Sequence, residues 1–222
     1  MAAPTGERDG DTFVIDFGDD ENVTGNEWID TMNALLDEAE AAASAGPLVL
    51  VTTGRGKHYS NGLDVAWMAG RGADEIADYV RRVEGVLARL LAFPAPTVAA
   101  VNGHAFGAGA FALIAHDHAV MRADRGYVCW PEVHLQMSFT PGLMAMITHL
   151  LPVRTGWEAV VTGKRFGAAD AVAGGFVERA VDLDELMTAA GEIGAPLAAT
   201  AGANLGRIKR QFHRRVLELL GT

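Results

Sequence analysis

The chain has 222 residues and a formal net charge of −10, with half of its residues hydrophobic and 21% charged. This composition is typical of one globular domain, and its acidity argues against generic binding to nucleic acid or to an anionic membrane surface. The single cysteine, Cys129, excludes an internal disulfide and a cysteine-based zinc cluster. Without a signal peptide or an apolar stretch of spanning length, we expect a cytoplasmic protein.

In chain order, strand-like and helix-like patterns alternate, which indicates an α/β protein. The predicted strands are residues 12–17, 48–53, 97–101, 118–121, 127–130 and 177–181. The predicted helices are residues 23–43, 73–91, 110–115, 142–151, 156–161 and 168–174, with a helical tail over 183–220 that breaks near Pro196 and Gly202. Because no linker divides the chain, we predict one domain, with a core over residues 1–190 and a helical C-terminal segment over 191–222.

Glycines cluster in two segments that each follow a predicted buried strand and lead into a helix, Gly54–Gly62 and Gly103–Gly109. Backbone N–H groups at such strand-to-helix turns point outward and can hold a developing oxyanion. Glycines that only make tight turns would give the same pattern. The residues alone support both interpretations equally.

Glu132 follows an apolar strand and has Trp130, Val133 and Leu135 as neighbours. Burial against such groups raises the pKa of a carboxyl and makes the carboxylate a stronger base. The alternative is a carboxylate that starts a helix or turn. Combined with an oxyanion hole, a basic carboxylate could remove a proton next to a carbonyl group.

Other motifs in the chain predict no cofactor and no metal. Gly107–Ala112 formally fits the G-x-G-x-x-A dinucleotide fingerprint, but the polar run His116-Asp117-His118 interrupts the helix that should follow. The same run contains an H-x-H pair, which we interpret as a polar connection because no further ligand lies at a recognised spacing. The chain also lacks a G-x-S-x-G serine elbow and a P-loop.

Four ordered segments resemble the crotonase superfamily, also called the enoyl-CoA hydratase/isomerase family, over roughly residues 12–190. The segments are Ser60–Asp64, Val101–Gly109, Trp130–Val133 and Thr162–Phe166, the last followed by residues 168–181. The resemblance implies a spiral of ββα units and an acyl-CoA thioester substrate, so that coenzyme A is part of the substrate. It also implies assembly as a homotrimer or a dimer of trimers.

The resemblance further implies which residues form the site. The backbone N–H groups of Leu63 and Ala108 would hold the thioester oxygen, and Glu132 matches the second of two catalytic glutamates found in the family's hydratases. Their first glutamate is replaced here by Phe111, which cannot activate water. The implied substrate contacts are Ser60, Asn61, Gly62, Asp64, Gly107, Phe111 and Trp130, with Phe111 and Trp130 lining a water-poor pocket.

The single glutamate is the pattern of the family's Δ3,Δ2-enoyl-CoA isomerases, and the chain looks most like the plant peroxisomal type, although its C-terminus carries no peroxisomal signal. We therefore predict an isomerase that shifts a 3-enoyl-CoA double bond to the trans-2 position. The alternatives are another crotonase reaction on an acyl-CoA (hydratase, hydrolase or lyase) and a non-catalytic acyl-CoA-binding protein.

The phosphate groups of coenzyme A would need a local basic patch on this acidic protein. Lys57 is one candidate, and the densest cluster is Arg207, Lys209, Arg210, Arg214 and Arg215. For this cluster we favour a solvated or subunit-facing helix over a phosphate site.

Overall fold

The computed structural model describes residues 3–221, which form an α/β structure with two sheets. Numbered along the chain, the six-stranded main sheet contains β1 (Thr5–Asp9), β2 (Thr12–Asp16), β3 (Val49–Thr53), β5 (Thr97–Val101), β7 (His118–Arg122) and β9 (Arg179–Val181), in that spatial order. Only β1 and β2 pair antiparallel, and the other neighbours are parallel. The second sheet contains the parallel strands β4 (His58–Ser60), β6 (His104–Phe106) and β8 (Val128–Cys129).

Helices connect the strands and follow them toward the C-terminus. They are α1 (Asn26–Ala45), α2 (Val65–Met68), α3 (Ala73–Leu91), α4 (Ala108–Ile114), α5 (Glu132–Leu135), α6 (Pro141–Leu150), α7 (Val153–Thr162), α8 (Ala168–Ala173), α9 (Leu186–Gly194), α10 (Ala203–Phe212) and α11 (Arg214–Leu220). Short 3₁₀ helices flank α9 at Leu183–Glu185 and Ala195–Thr200. None of the helices in residues 3–221 is both long and apolar enough to cross a bilayer.

The central strands of the main sheet are buried on both faces, which explains the continuous apolar pattern of β3. Leu48 and Leu50 belong to the larger core, which packs against α1 and α3, whereas Val49 and Val51 belong to a smaller core beneath α9. Side chains alternate across a strand, so successive apolar residues pack into the two cores in turn. The predicted buried strand is therefore confirmed.

The structure corrects the predicted elements at several points. Strand β1 was not predicted, and the two glycine segments predicted as loops contain β4 and β6. Strands β4 and β6 are only three residues long, too short to show an alternating pattern. The predicted tail breaks as expected and breaks once more at His213, between α10 and α11.

The C-terminal helices pack back onto the body of the protein. Helix α11 lies against α6 and α3, and its Val216, Leu217 and Leu220 are buried in the larger core. The division of the chain at residue 190 stays a prediction, and α9 runs across that position.

Candidate active site

The three strands of the small sheet lead to three elements of the predicted site. Strand β4 leads into the turn with Leu63, β6 leads to Ala108, and β8 leads to Glu132. Because parallel strands present their carboxyl ends at one edge of a sheet, the three elements meet there. The site thus takes its geometry from six short backbone segments, three strands and the turns that follow them.

The turns after β4 and β6 are in direct backbone contact. A Cβ atom on Gly62, which has φ +87°, would lie 2.6 Å from the Phe106 carbonyl oxygen and 3.0 Å from the Ala108 nitrogen. A Cβ atom on Gly109 would lie 2.3 Å from the Ser60 carbonyl oxygen. Both glycines are therefore required for the close approach, and they do more than turn the chain.

Two backbone donors are left free beside this contact. Ala108 is the first residue of α4, so its N–H has no partner within the helix. Across residues 3–221, no protein acceptor takes the N–H of Leu63 or that of Ala108. Free N–H groups on adjacent turns are the arrangement that stabilises a developing oxyanion.

Glu132 lies next to these turns. It begins α5, and its Oε1 is 3.6 Å from the position that a Cβ atom would take on Gly107. Its Oε2 is buried and has no hydrogen-bond partner in the described part of the chain. Burial raises the pKa of the Glu132 carboxyl above its ordinary value, which strengthens the carboxylate as a base.

Phe111 and Trp130 are fully buried behind the site. Their ring centroids are 4.9 Å apart, and Phe139 packs edge-on against Phe111 at 5.9 Å. Position 111 therefore holds an apolar ring that can neither bind nor activate water. The contact of Phe111 and Trp130 with an acyl chain stays a prediction, because both rings are part of the core.

The remaining predicted contact residues hold the first turn in shape. The Ser60 hydroxyl donates to the Asn22 carbonyl at 2.7 Å, the Asn61 N–H donates to the Glu21 carbonyl at 2.9 Å, and the Asp64 carboxylate caps α2. These bonds fix the backbone around Leu63. Binding of substrate by these residues stays a prediction.

Three residues that sequence reasoning missed also brace this turn. The Asn22 amide donates to the carbonyls of Gly18, His58 and Tyr59, and Thr24 donates through its N–H and its hydroxyl to Gly62. The Tyr79 hydroxyl donates to the Thr24 carbonyl and accepts from the Asp64 N–H. Tyr79 carried a usable signal, because a tyrosine on an otherwise apolar helix stripe needs a polar partner when it is buried.

The structure removes Lys209 from the candidates for phosphate binding. Its side chain is 6% exposed, forms an ion pair with Asp117 at 2.5 Å and donates to the Ala95 carbonyl at 2.8 Å. Lys209 is therefore not available to bind a phosphate group, and it does not lie on a solvated helix face as predicted for the basic cluster. It ties α10 to the main sheet instead.

The H-x-H pair is divided between two separate sets of contacts. His116 is buried and bonds to the Thr52 hydroxyl and the Ala112 carbonyl, whereas His118 pairs with Glu178. No group of three or more His, Cys, Asp or Glu side chains in residues 3–221 is arranged to hold a metal ion. The absence of a metal from the predicted reaction stays an expectation.

Paired turn donors beside a carboxylate with a buried oxygen are chemically suited to removing a proton next to a carbonyl group. The sequence pattern of the enoyl-CoA hydratase/isomerase family matches residues 13–220, so the chain belongs to this family. The match confirms the predicted crotonase resemblance and extends it past residue 190 to the C-terminal helices.

Similar curated proteins include plant isomerases. The peroxisomal enoyl-CoA delta isomerase 2 of Arabidopsis thaliana is 32% identical over 97% of this chain and 94% of its own length. Enoyl-CoA delta isomerase 3 of the same plant is 35% identical over 87% of this chain and 84% of its own length. Carnitinyl-CoA dehydratase of Escherichia coli K12 is 33% identical over 77% of this chain and 65% of its own.

Solved structures share the fold. A probable enoyl-CoA hydratase of Mycobacterium tuberculosis H37Rv superposes with a TM-score of 0.90 at 24% identity, covering 99% of this chain and 92% of the other. An enoyl-CoA hydratase of Mycobacterium ulcerans Agy99 gives a TM-score of 0.89 at 25% identity, covering 99% and 95%. The predicted α/β crotonase fold is confirmed.

Proposed function

We propose that this protein is an enoyl-CoA isomerase that moves the double bond of a 3-enoyl-CoA to the trans-2 position. The observation that carries the proposal is one half-buried carboxylate, Glu132 with its buried Oε2, beside two free backbone N–H groups, with an apolar ring at position 111. The similarity to two plant enoyl-CoA delta isomerases supports it.

In the proposed reaction the ionised Glu132 removes a proton from C2 of the substrate. The electron pair of the broken C–H bond moves toward the thioester carbonyl and gives a dienolate, whose oxygen accepts hydrogen bonds from Leu63 and Ala108. Each such donor is typically worth about 3 kcal/mol of barrier. Glu132 then returns the proton to C4, and the double bond forms between C2 and C3.

One base is sufficient for this reaction and insufficient for hydration. Hydration requires a positioned water molecule, and the family's hydratases use a second glutamate for that task. Phe111 occupies the matching position and is buried among aromatic rings. An apolar surrounding also protects a dienolate from water.

The proposed substrate is an acyl-CoA thioester, and the proposed reaction requires no metal and no cofactor beyond the substrate's own coenzyme A. Glu132 takes and returns the same proton, and the two backbone donors hold the charge of the dienolate. Because Lys209 is paired within the fold, residues other than Lys209 would have to hold the nucleotide end of coenzyme A.

We also propose that the protein self-associates, as the predicted trimer or dimer of trimers requires. Val153, Trp157 and Val161 follow one another at helical spacing on α7 and are 81%, 62% and 40% exposed. An exposed apolar stripe of this size is typical of an association surface. A single-subunit mass in light scattering would contradict this proposal.

The test of the function is an assay with trans-3-hexenoyl-CoA, read by mass and by ultraviolet absorbance. We expect a product of unchanged mass with the double bond conjugated to the thioester, and loss of this product in Glu132→Gln. Glu38→Gln on the exposed face of α1 is the matched control and should retain full activity. A mass gain of one water would identify a hydratase instead, and saturable binding without turnover would identify a binding protein.

A further inference from the structure

Helix α3 carries a carboxyl group that the proposed reaction does not use. Glu84 is 7% exposed and lies on the face of α3 that packs into the protein. Its Oε1 accepts a hydrogen bond from the hydroxyl of Thr140. Within residues 3–221 the Thr140 hydroxyl is the hydrogen-bond donor that reaches Glu84, and Arg81, which pairs with Asp78 at 2.6 Å, acts on Glu84 through its charge alone.

Thr140 is the residue at which the segment after Glu132 returns to the core. Its hydroxyl oxygen accepts from the Leu143 N–H at 3.2 Å and so caps α6, while its hydroxyl hydrogen points to Glu84. The residue before it, Phe139, packs against Phe111. The start of α6 is therefore fixed by one cap, one ring contact and one bond to α3.

Between Glu132 and this point the chain is held by the short helix α5, which contacts α7. Residues 133–138 are all exposed. On the other side, the ring of His134 contacts the Thr162 carbonyl at 2.9 Å. The segment that carries the base is thus held near its two ends, and the Glu84–Thr140 bond belongs to the far end.

We propose that Glu84 is a positioning residue for Glu132, which acts by holding Thr140 and so fixing the far end of the segment 133–140. The proposal rests on the proposed function, because it takes Glu132 as the base. A single carboxylate that serves C2 and C4 must keep its place relative to both carbons. A displacement of about 1 Å in such a site can lower a rate by about 100-fold.

An alternative role for Glu84 is packing alone, and the side-chain chemistry argues against it. An apolar residue would fill the same space without the cost of burying a carboxyl group. Burial raises the pKa of the Glu84 carboxyl, while the Thr140 hydroxyl and the charge of Arg81 act in the opposite direction. What the carboxyl group adds is a directed acceptor for the Thr140 hydroxyl.

The first test compares two variants at one position. Glu84→Met keeps the length of the side chain and removes the acceptor, whereas Glu84→Gln keeps a carbonyl acceptor for Thr140. We expect Glu84→Met to lower kcat on trans-3-hexenoyl-CoA by about 10- to 100-fold with KM changed less than about threefold. Glu84→Gln should stay within about threefold of the wild type in both constants.

The second test reads the segment directly and does not depend on the reaction. Amide hydrogen exchange over residues 133–143 should become at least about tenfold faster in Glu84→Met and stay at the wild-type rate in Glu84→Gln. If the wild type does not isomerise a 3-enoyl-CoA, the proposed function fails, and this exchange measurement still decides whether Glu84 fixes the segment. Unchanged exchange in Glu84→Met overturns the inference even if the wild type is an active isomerase.

A second pair of variants covers the case in which Glu84→Met does not fold. Thr140→Val removes the hydroxyl and Thr140→Ser retains it, so we expect loss of kcat and faster exchange only in the valine variant. Where both single variants fold, the double variant Glu84→Met/Thr140→Val should be no worse than Thr140→Val alone, because the two residues share one bond. Equal losses in Thr140→Val and Thr140→Ser, or independent losses in the double variant, would overturn the inference.

Discussion

The oxyanion side and the base side of the candidate site are built in different ways. On the oxyanion side, Gly62 and Gly109 bring backbone against backbone, so that even one added methyl group would collide. On the base side, Glu132 is followed by six exposed residues, 133–138, before the chain returns to the core. The donors are therefore fixed by crowding, whereas the base depends on a few identifiable contacts.

The difference suits the demands of the proposed reaction. The oxygen of the thioester stays in one place throughout, and fixed backbone dipoles stabilise its charge without reorganisation. The base has to meet two carbons in succession, and its exact placement decides both steps. Changes on the oxyanion side should therefore act through sterics, and changes on the base side through ionisation and local backbone energy.

The largest effect is expected from Gly109→Ala on the oxyanion side. The new Cβ atom would lie 2.3 Å from the Ser60 carbonyl oxygen, so the turns must separate and the donors diverge. We expect kcat/KM to fall by more than about 100-fold in the enoyl-CoA assay. The control is Gly85→Ala on α3, where a Cβ atom meets nothing within 4 Å and should stabilise the helix by about 0.5–1 kcal/mol. Wild-type activity in Gly109→Ala would show that crowding does not fix the donors.

A pH profile tests the base side with an effect of intermediate size. Protonated Glu132 cannot accept the C2 proton, so kcat/KM should fall about tenfold per pH unit below the pKa of this carboxyl. Because burial raises that pKa, the acid limb should lie above the range of an ordinary glutamate. Circular dichroism across the same range separates titration from unfolding, and a limb at the ordinary glutamate value would contradict a buried base.

The same pKa shift has a consequence for stability. A group whose pKa is raised by folding contributes stability below its unfolded pKa, and this contribution is lost as the pH rises through the folded value. At neutral pH the ionised Glu132 therefore opposes folding. Glu132→Gln, the inactive variant, should be at least as stable as the wild type in denaturant unfolding at pH 7.

The smallest effect is expected from Gln136→Gly on the base side. Gln136 ends α5 with φ +56°, in the left-handed region that favours glycine. Relief of this strain should raise the free energy of unfolding by less than about 1 kcal/mol, since glycine also adds freedom to the unfolded chain. Gln136→Val should lower it, because a branched side chain fits this region poorly. Equal stability of the glycine and valine variants in urea unfolding would refute the assignment of strain.

Long elements could be predicted from the sequence because their periodicity is strong. Helix α3 has the predicted bounds, Ala73–Leu91, and β5 has the predicted bounds, Thr97–Val101. The small sheet could be predicted only in part: β8 lies within the predicted strand 127–130, whereas β4 and β6, with three residues each, show no such pattern. Its position was accessible only through the glycines and the family resemblance.

The candidate site was predictable where one residue type carries the chemistry, as Glu132 does. It was less predictable where tertiary contacts decide the role of a residue. Asn22 lies in a polar loop with nothing to distinguish it from its neighbours, yet its amide joins three carbonyl groups. Lys209 lies in a basic run of the sequence, which does not show that its side chain pairs with Asp117 in the folded protein.

The ion pair between Lys209 and Asp117 also bears on the order in which contacts form during folding. Asp117 accepts from the Thr97 N–H across a sequence separation of 20 residues, whereas its ion pair with Lys209 in α10 spans 92 residues. Contacts between residues far apart in the sequence cost more loop-closure entropy than contacts between near ones. We therefore expect α10 to dock onto Asp117 in a late step of refolding, after Asp117 has met Thr97.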